Sequence, residues 1–235
     1  MKRSNDVLEK IKSLESPPKV VNIFSEKEIE MIKELYNALP ETVYNKKQRV
    51  RKKSWVQNFN KELDKIYFSK LQDVIGDFEM DSLKTKEGED YYGLFHESFS
   101  PLPLHVDSGF DKDIVVYKQV ITPLIGPGDT IFFTKRWYGR STTFTIDKSE
   151  LNFKPKPGQN ERSSEHLGEE EFDKKIHQKH LNHLDINNLK GLKIEKIYNW
   201  KVGETLIVDR THIHCASSRI NNKKLGLTTF TKRNI

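Results

Sequence analysis

The stretch PLPLHVDSGF, residues 101–110, sets His105 and Asp107 one residue apart. At the end of a β-strand, alternation puts that imidazole and that carboxylate on one face, close enough to share an ion. A third partner is offered far downstream in ETLIVDRTHIHCASSRI, where His212 and His214 follow an apolar strand ending at Asp209. Both histidines sit on the same strand face, so spacing leaves the choice between them open. Two imidazoles and one carboxylate would occupy one side of a metal and leave the other side free, an arrangement suited to non-haem Fe(II) and dioxygen. A structural zinc would be closed by four protein ligands. Cys215 is the only cysteine, which excludes both a cysteine-based zinc site and an intramolecular disulfide and suits a reducing compartment. Beside it nothing reads as an activating base, so Cys215 is expected to be a small core residue.

The elements that must position these groups are legible as a change of pattern. With 235 residues the chain suits one sizeable domain. KVVNIF reads as a strand, and Ser25 with Glu28 forms a capping box opening a helix with Ile29, Ile32, Leu35 and Tyr36 on one face, stopped by Pro40. A second helix is predicted over KELDKIYFSKLQDVI, with Gly76 as its stop. Short segments rich in Tyr, Phe, Val, Ile and Thr follow: DYYGLFHES, PLPLHVD, DIVVYKQVITPLI, DTIFFTKRW, STTFTI, KIEKIYNW, ETLIVD and KLGLTTFT. The expected architecture is mainly β with flanking helices, residues 1–80 forming a helical N-terminal flank and 90–235 a jelly-roll barrel core. A polar segment at about 152–191 interrupts the rhythm, with a helix expected over EEEFDKKIHQKHLNHL. An insertion of this length is a lid candidate.

Charge adds less. The formal net charge is +6, yet acidic and basic residues interleave except in KKQRVRKK, residues 46–53. That run is expected to be a solvated loop or helix face, and a nucleic-acid partner is not favoured. His177, His180 and His183 likewise read as a solvated helix face. KRWYGRSTTF concentrates Arg136, Trp137, Tyr138 and Arg140, residue types that dominate binding anchors, and these are the expected substrate contacts. No run approaches the roughly 18 apolar residues of a membrane span, and the opening MKRSNDVLEK lacks a signal-peptide core, so a cytoplasmic location is expected.

In order along the chain, KVVNIFSEKEIEMIKELY, YYGLFHESFSPLPLHVDSG and VGETLIVDRTHIHCAS with KLGLTTFTKR resemble the Fe(II)/2-oxoglutarate-dependent dioxygenases of double-stranded β-helix fold, in their prolyl-hydroxylase-like or phytanoyl-hydroxylase-like branches. The resemblance implies Fe(II) held by His105, Asp107 and His214, with 2-oxoglutarate and dioxygen as cosubstrates. It selects His214 over His212, because the distal histidine of the family precedes a small polar stretch, here Cys215, Ala216 and Ser217. It also implies a cation for the far carboxylate of 2-oxoglutarate: Lys224 on the last strand first, Lys118 on the strand after the HxD motif second, Arg219 third. Tyr92, Tyr117 and Thr228 are the expected hydroxyl contacts. Halogenating members of the family lack the HxD carboxylate, so Asp107 points to hydroxylation or a related oxidation of a small molecule or a peptidyl side chain, with release of succinate and CO2. Two alternatives are an oxygenase acting on nucleic acid and a non-catalytic cupin-like binding module. The second has no need of open coordination positions.

Overall fold

Strands account for most of the regular structure in a computed structural model of the chain, which describes residues 3–41, 43–46, 49–85, 87–109, 111–147, 149, 154, 168–220 and 223–234. The strands are β1 (Lys19–Val21), β2 (Val43–Asn45), β3 (Val50–Val56), β4 (Glu79–Met80), β5 (Leu83–Lys84), β6 (Asp90–Ser98), β7 (His105–Val106), β8 (Val115–Ile125), β9 (Asp129–Arg136), β10 (Thr142–Thr143), β11 (Ile194–Asn199), β12 (Thr205–Asp209), β13 (His212–Ala216) and β14 (Lys224–Arg233). Among the described residues they form two antiparallel sheets. The larger runs β1-β12-β8-β14-β6-β3-β2, with β4 and β5 attached to β14 and β6; the smaller runs β10-β7-β13-β9-β11. Ile121, Leu206 and Val208 of the larger sheet pack on Phe132 and Tyr198 of the smaller, so the two sheets face each other as a jelly roll.

The helices cover the outer face of the larger sheet. Helix α2 (Glu26–Ala38) opens with the reciprocal Ser25–Glu28 capping box, and α3 (Lys61–Ile75) ends at Gly76, whose φ of 70° favours glycine. Ile29, Ile32 and Leu35 of α2 and Leu63, Tyr67 and Leu71 of α3 bury against Trp55, Phe95, Leu225 and Leu227. Each such side chain contributes about 1.5–3 kcal/mol of hydrophobic stabilisation. Because alternate residues face opposite ways, this outer packing commits the intervening positions of β6 and β14 to the space between the sheets. No helix among the described residues is long and apolar enough to cross a membrane.

Several elements differ from the sequence expectation. The leader is a helix, α1 (Asn5–Ser13), capped by Ser4, with Val7 and Ile11 buried against Val115 and Val116. Its signal was the apolar pair four residues apart. The basic run is only in part a loop: residues 46 and 49 lie in a turn, whereas residues 50–53 belong to β3, which pairs with β6 from Val50↔Ser98 to Lys53↔Phe95. Long side chains let that strand carry charge while Val50 and Trp55 are buried. The first part of the expected insertion, 152–153 and 155–167, lies outside the described residues. In its described part, Phe172, Leu181 and Leu189 pack on Ile131, Phe133 and Ile213, so residues 168–191 layer onto the outer face of the smaller sheet. The helix expected there is only α4 (Lys174–Ile176), continued by a π turn at His177–Leu181. That change of winding ends the solvated face: His177 and His183 donate to the Leu184 and Leu102 carbonyls (2.9 and 3.3 Å), and His180 is buried beside Asp129.

Candidate metal centre and its cavity

Strand pairing carries the first two groups together. His105 on β7 is the cross-strand partner of His214 on β13, and their ring centroids lie 4.2 Å apart. Asp107, just beyond the end of β7, reaches Nε2 of His105 at 3.8 Å and Nε2 of His214 at 3.6 Å through Oδ2. One ligand atom from each of the three residues lies within 4.8 Å of the others, so the group could hold a metal ion.

Their surroundings fix which atoms face inward. Nδ1–H of His105 donates to the Pro103 carbonyl at 2.7 Å, and Nδ1–H of His214 donates to the His212 carbonyl at 3.0 Å. Each Nε2 is therefore left with its lone pair toward Asp107, the tautomer that metal-binding histidines adopt. Gln119 donates through Nε2 to Asp107 Oδ2 at 3.0 Å, and Arg210 donates through Nε to the Asp107 carbonyl at 3.2 Å. Desolvation pushes the Asp107 carboxyl up, but His105, His214, Lys52 and the Gln119 bond outweigh it and hold the pKa below the ordinary value. Burial and the neighbouring His105 bring His214 down to about 4. At neutral pH Asp107 is thus a carboxylate and His214 a neutral imidazole, protonation states that a divalent metal requires of its ligands.

His212 is committed elsewhere. The register of β13 against β9 shifts between His212 and His214, and His212 is turned into a network in which Nδ1 accepts from the Asp209 amide at 3.1 Å and Nε2 bonds Glu195 Oε2 at 3.0 Å. Burial and the adjacent Arg136 bring its pKa to about 2.

The three residues open onto a cavity of about 200 Å³ between the sheets, lined on the larger sheet by Lys52, Leu94, His96, Ser98, Gln119, Ile121, Lys224, Thr228 and Phe230, with Thr130, Thr143 and Trp200 opposite. Lys224 is the buried cation of this wall. Its Nζ donates to the Asp129 carbonyl and to Thr130 Oγ1, each at 3.2 Å, and lies 3.7 Å from the centroid of the Trp200 ring. Desolvation, opposed by Asp129, takes its pKa down to about 7. Gly226 is required beside it: a Cβ there would meet Trp200 at 2.6 Å.

Other expected contacts lie away from the cavity. Lys118 follows Tyr117 on β8 and precedes the inward Gln119, so it points out and forms a buried ion pair with Asp209. Its Nζ also donates to the Leu14 carbonyl and Ser16 Oγ at 3.0 and 2.8 Å. Tyr117 donates to the Ile75 carbonyl at 2.9 Å, and Tyr92 packs edge-on to Phe68 of α3 at 4.7 Å. Arg219 does not line the cavity. Nor do the expected substrate contacts. Arg136 bonds Glu195 at 3.1 Å, Trp137 packs on Phe144 and donates to the Arg140 carbonyl, and Tyr138 hydrogen-bonds Glu15. The aromatic–arginine cluster is a tie between the N-terminal segment and the ends of β9 and β12. Sequence reasoning passed over Lys52, His96, Gln119 and Trp200. Alternation along DYYGLFHES, with Phe95 buried on the helix side, was the available signal for His96; for Trp200 there was none.

No protein-family model matches the sequence, and no curated protein matches it significantly. Solved structures do. Over 100% of this chain and 93% of its own, a 2OG-Fe(II) oxygenase family oxidoreductase from Burkholderia pseudomallei superposes with a TM-score of 0.51 at 10% identity. HygX from Streptomyces hygroscopicus, solved with nickel, 2-oxoglutarate and hygromycin B, gives 0.50 at 11% identity over 99% and 88%. SnoK, a non-heme alpha ketoglutarate dependent carbocyclase from nogalamycin biosynthesis, gives 0.54 at 9% identity over 97% and 84%. The fold is that of these oxygenases, a double-stranded β-helix.

Proposed function

We propose that this chain is an Fe(II)- and 2-oxoglutarate-dependent oxygenase acting on a small molecule. The observation that carries the reading is the convergence of His105, Asp107 and His214 on one cavity wall, both imidazoles presenting Nε2 because backbone carbonyls hold their Nδ1–H groups. That donor set fits a divalent iron with open positions and does not resemble a closed structural zinc. Fe(II) bound there supplies the redox chemistry by which dioxygen is consumed, 2-oxoglutarate is decarboxylated to succinate and CO2, and the substrate is oxidised.

The protein's own residues divide the remaining work. Gln119 and Arg210 hold Asp107 in place from its side chain and its carbonyl. Lys224 offers a buried ammonium for the far carboxylate of 2-oxoglutarate, since a carboxylate enters such a site only with a partner, and the Thr228 hydroxyl on the same strand face is a second contact. Trp200 and Ile121 exclude water around that end. Retention of a carboxylate at Asp107 supports hydroxylation or a related oxidation, and the small-molecule ligand in the HygX structure supports the substrate class.

The test is anaerobic addition of Fe(II) and then 2-oxoglutarate to the purified chain. The weak visible charge-transfer band of the chelate is expected, and is expected to be lost in Asp107→Ala. Bound iron without that band would overturn the cosubstrate assignment.

A further inference from the structure

Trp200 stands just beyond the end of β11, on the cavity wall that faces the larger sheet. Its amide donates to the Gly128 carbonyl at 2.8 Å, and its indole Nε1 donates to Thr130 Oγ1 at 2.8 Å. The ring packs against the cluster of Ile121, Phe132, Tyr198, Leu206 and Val208. It comes so close to β14 that a Cβ on Gly226 would lie 2.6 Å from it. Backbone, indole nitrogen and ring are each held, so the side chain yields only by giving up contacts on several sides.

The same group fixes the Lys224 ammonium. Nζ donates to Thr130 Oγ1 and to the Asp129 carbonyl, each at 3.2 Å, and meets the Trp200 ring 3.7 Å from its centroid. Behind the stem, a Cβ on Gly128 would touch Lys224 Cδ at 2.9 Å, so the ammonium has no room to retreat. Thr130 Oγ1 accepts from both Trp200 and Lys224, which leaves its O–H as the group to offer, and a carboxylate takes it.

The register sets the distance from this end to the metal ligands. His214 pairs with Phe132 and Ala216 with Thr130 in unbroken register, so the row of His214 and the row that holds the ammonium are two residues apart. That is about 7 Å along the strands. An acid that grips a metal at the first row and Lys224 at the second spans a fixed length, and each added methylene extends it by about 1.3 Å.

We infer that Trp200 determines the length of the 2-oxo diacid that the cavity accepts, admitting the five-carbon acid and rejecting the six-carbon one. The inference rests on the oxygenase reading and on Lys224 as the partner of the far carboxylate. It assigns to Trp200 the end wall that keeps the ammonium from moving outward and closes the notch over Gly226.

The experiment titrates the full chain, loaded anaerobically with Fe(II), with 2-oxoglutarate and separately with 2-oxoadipate. Both acids chelate through the same 2-oxo end, so the charge-transfer band gives a Kd for each. In the wild type 2-oxoadipate is expected to bind more weakly by about tenfold or more, the discrimination that one methylene allows in a closed pocket. Trp200→Leu is expected to bring the two affinities within about threefold of each other, and Trp200→Phe, which keeps a ring over the ammonium, to give an intermediate ratio. Equal affinities in the wild type would overturn the inference. So would a ratio unchanged in both variants, or loss of both acids in both variants, since Trp200 would then support the ammonium without measuring length. Wild-type chain that binds iron but neither acid would instead overturn the oxygenase reading, and the end wall with it.

Discussion

Replacing Lys224 with methionine removes the buried ammonium proposed to hold 2-oxoglutarate, and the structure sets both the size and the pH dependence of the loss. The side chain is 5% exposed, so a carboxylate bound there has no water to replace the lost partner. Truncating one side of a buried charge pair costs about 2–5 kcal/mol. The Thr130 and Thr228 hydroxyls remain on the wall, which places the expected cost in the lower half of that range, roughly thirty- to four-hundredfold in Kd. The wild-type protein should also lose affinity as pH rises, because desolvation brings Lys224 to about 7 in the empty cavity and only the ammonium form binds. Relative to pH 6, the Kd is expected to be about twofold higher at pH 7 and about tenfold higher at pH 8. Binding at pH 8 should accordingly take up nearly one proton, seen as a dependence of the calorimetric enthalpy on the ionisation enthalpy of the buffer. Lys224→Arg, whose guanidinium stays charged, should flatten the profile. A pH-independent wild-type Kd, or a methionine variant within threefold of wild type, would refute the reasoning. The same depressed value has a signature without ligand. Between about pH 7 and the ordinary lysine value of 10.5, the unfolded chain binds the proton that the folded one has lost, so this group makes stability rise with pH across that window.

Gln119→Leu removes the donor on Asp107 Oδ2 and should lower metal affinity about 10- to 100-fold. Its melting temperature should not fall, because the Gln119 Oε1 is buried without a partner; a lower melting temperature with unchanged metal affinity would contradict this. Arg3→Ala deletes a buried guanidinium that bonds the carbonyls of Ser108, Asp111, Ile114 and Tyr138. A loss of about 3 kcal/mol or more is expected, a fall of roughly 6–12 °C in a thermal melt, and an unchanged melt would show that the N-terminal segment does not brace the chain behind Asp107.

The capping box at Ser25 and the stop at Gly76 are local, and the helices formed where local chemistry placed them. The strand DYYGLFHES matched β6 from end to end, because alternating burial is written into its residues. His105 and Asp107 were recognisable from their separation, since a separation of two is what a strand needs to aim two side chains at one point. Lys224 and Thr228 on the last strand were expected only from the family resemblance, and both line the cavity. In KKQRVRKK, Lys46, Arg49 and Arg51 are solvated as their charge suggests, but residues 50–53 form a strand in which Lys52 and Lys53 are half-buried. A strand paired on both sides can hold charged residues when their stems lie along the sheet, and one of them, Lys52, lines the cavity.

The amino-acid sequence by itself determined the local elements and the short-range half of the site, because capping, alternation and the His105–Asp107 spacing act over a few residues. Spacing alone left His212 beside His214 and Lys118 beside Lys224, and only the tertiary structure set His214 and Lys224 on the cavity wall and His212, Lys118 and the Arg136–Arg140 cluster off it. In each case the deciding fact was a long-range partner: Glu195 and Asp209 claimed His212, Asp209 claimed Lys118, and Glu15 and Glu195 drew Tyr138 and Arg136 away. A polar side chain's role follows from the group that satisfies it, and for these residues that group lies many positions away along the chain, set beside them only once the two sheets have closed.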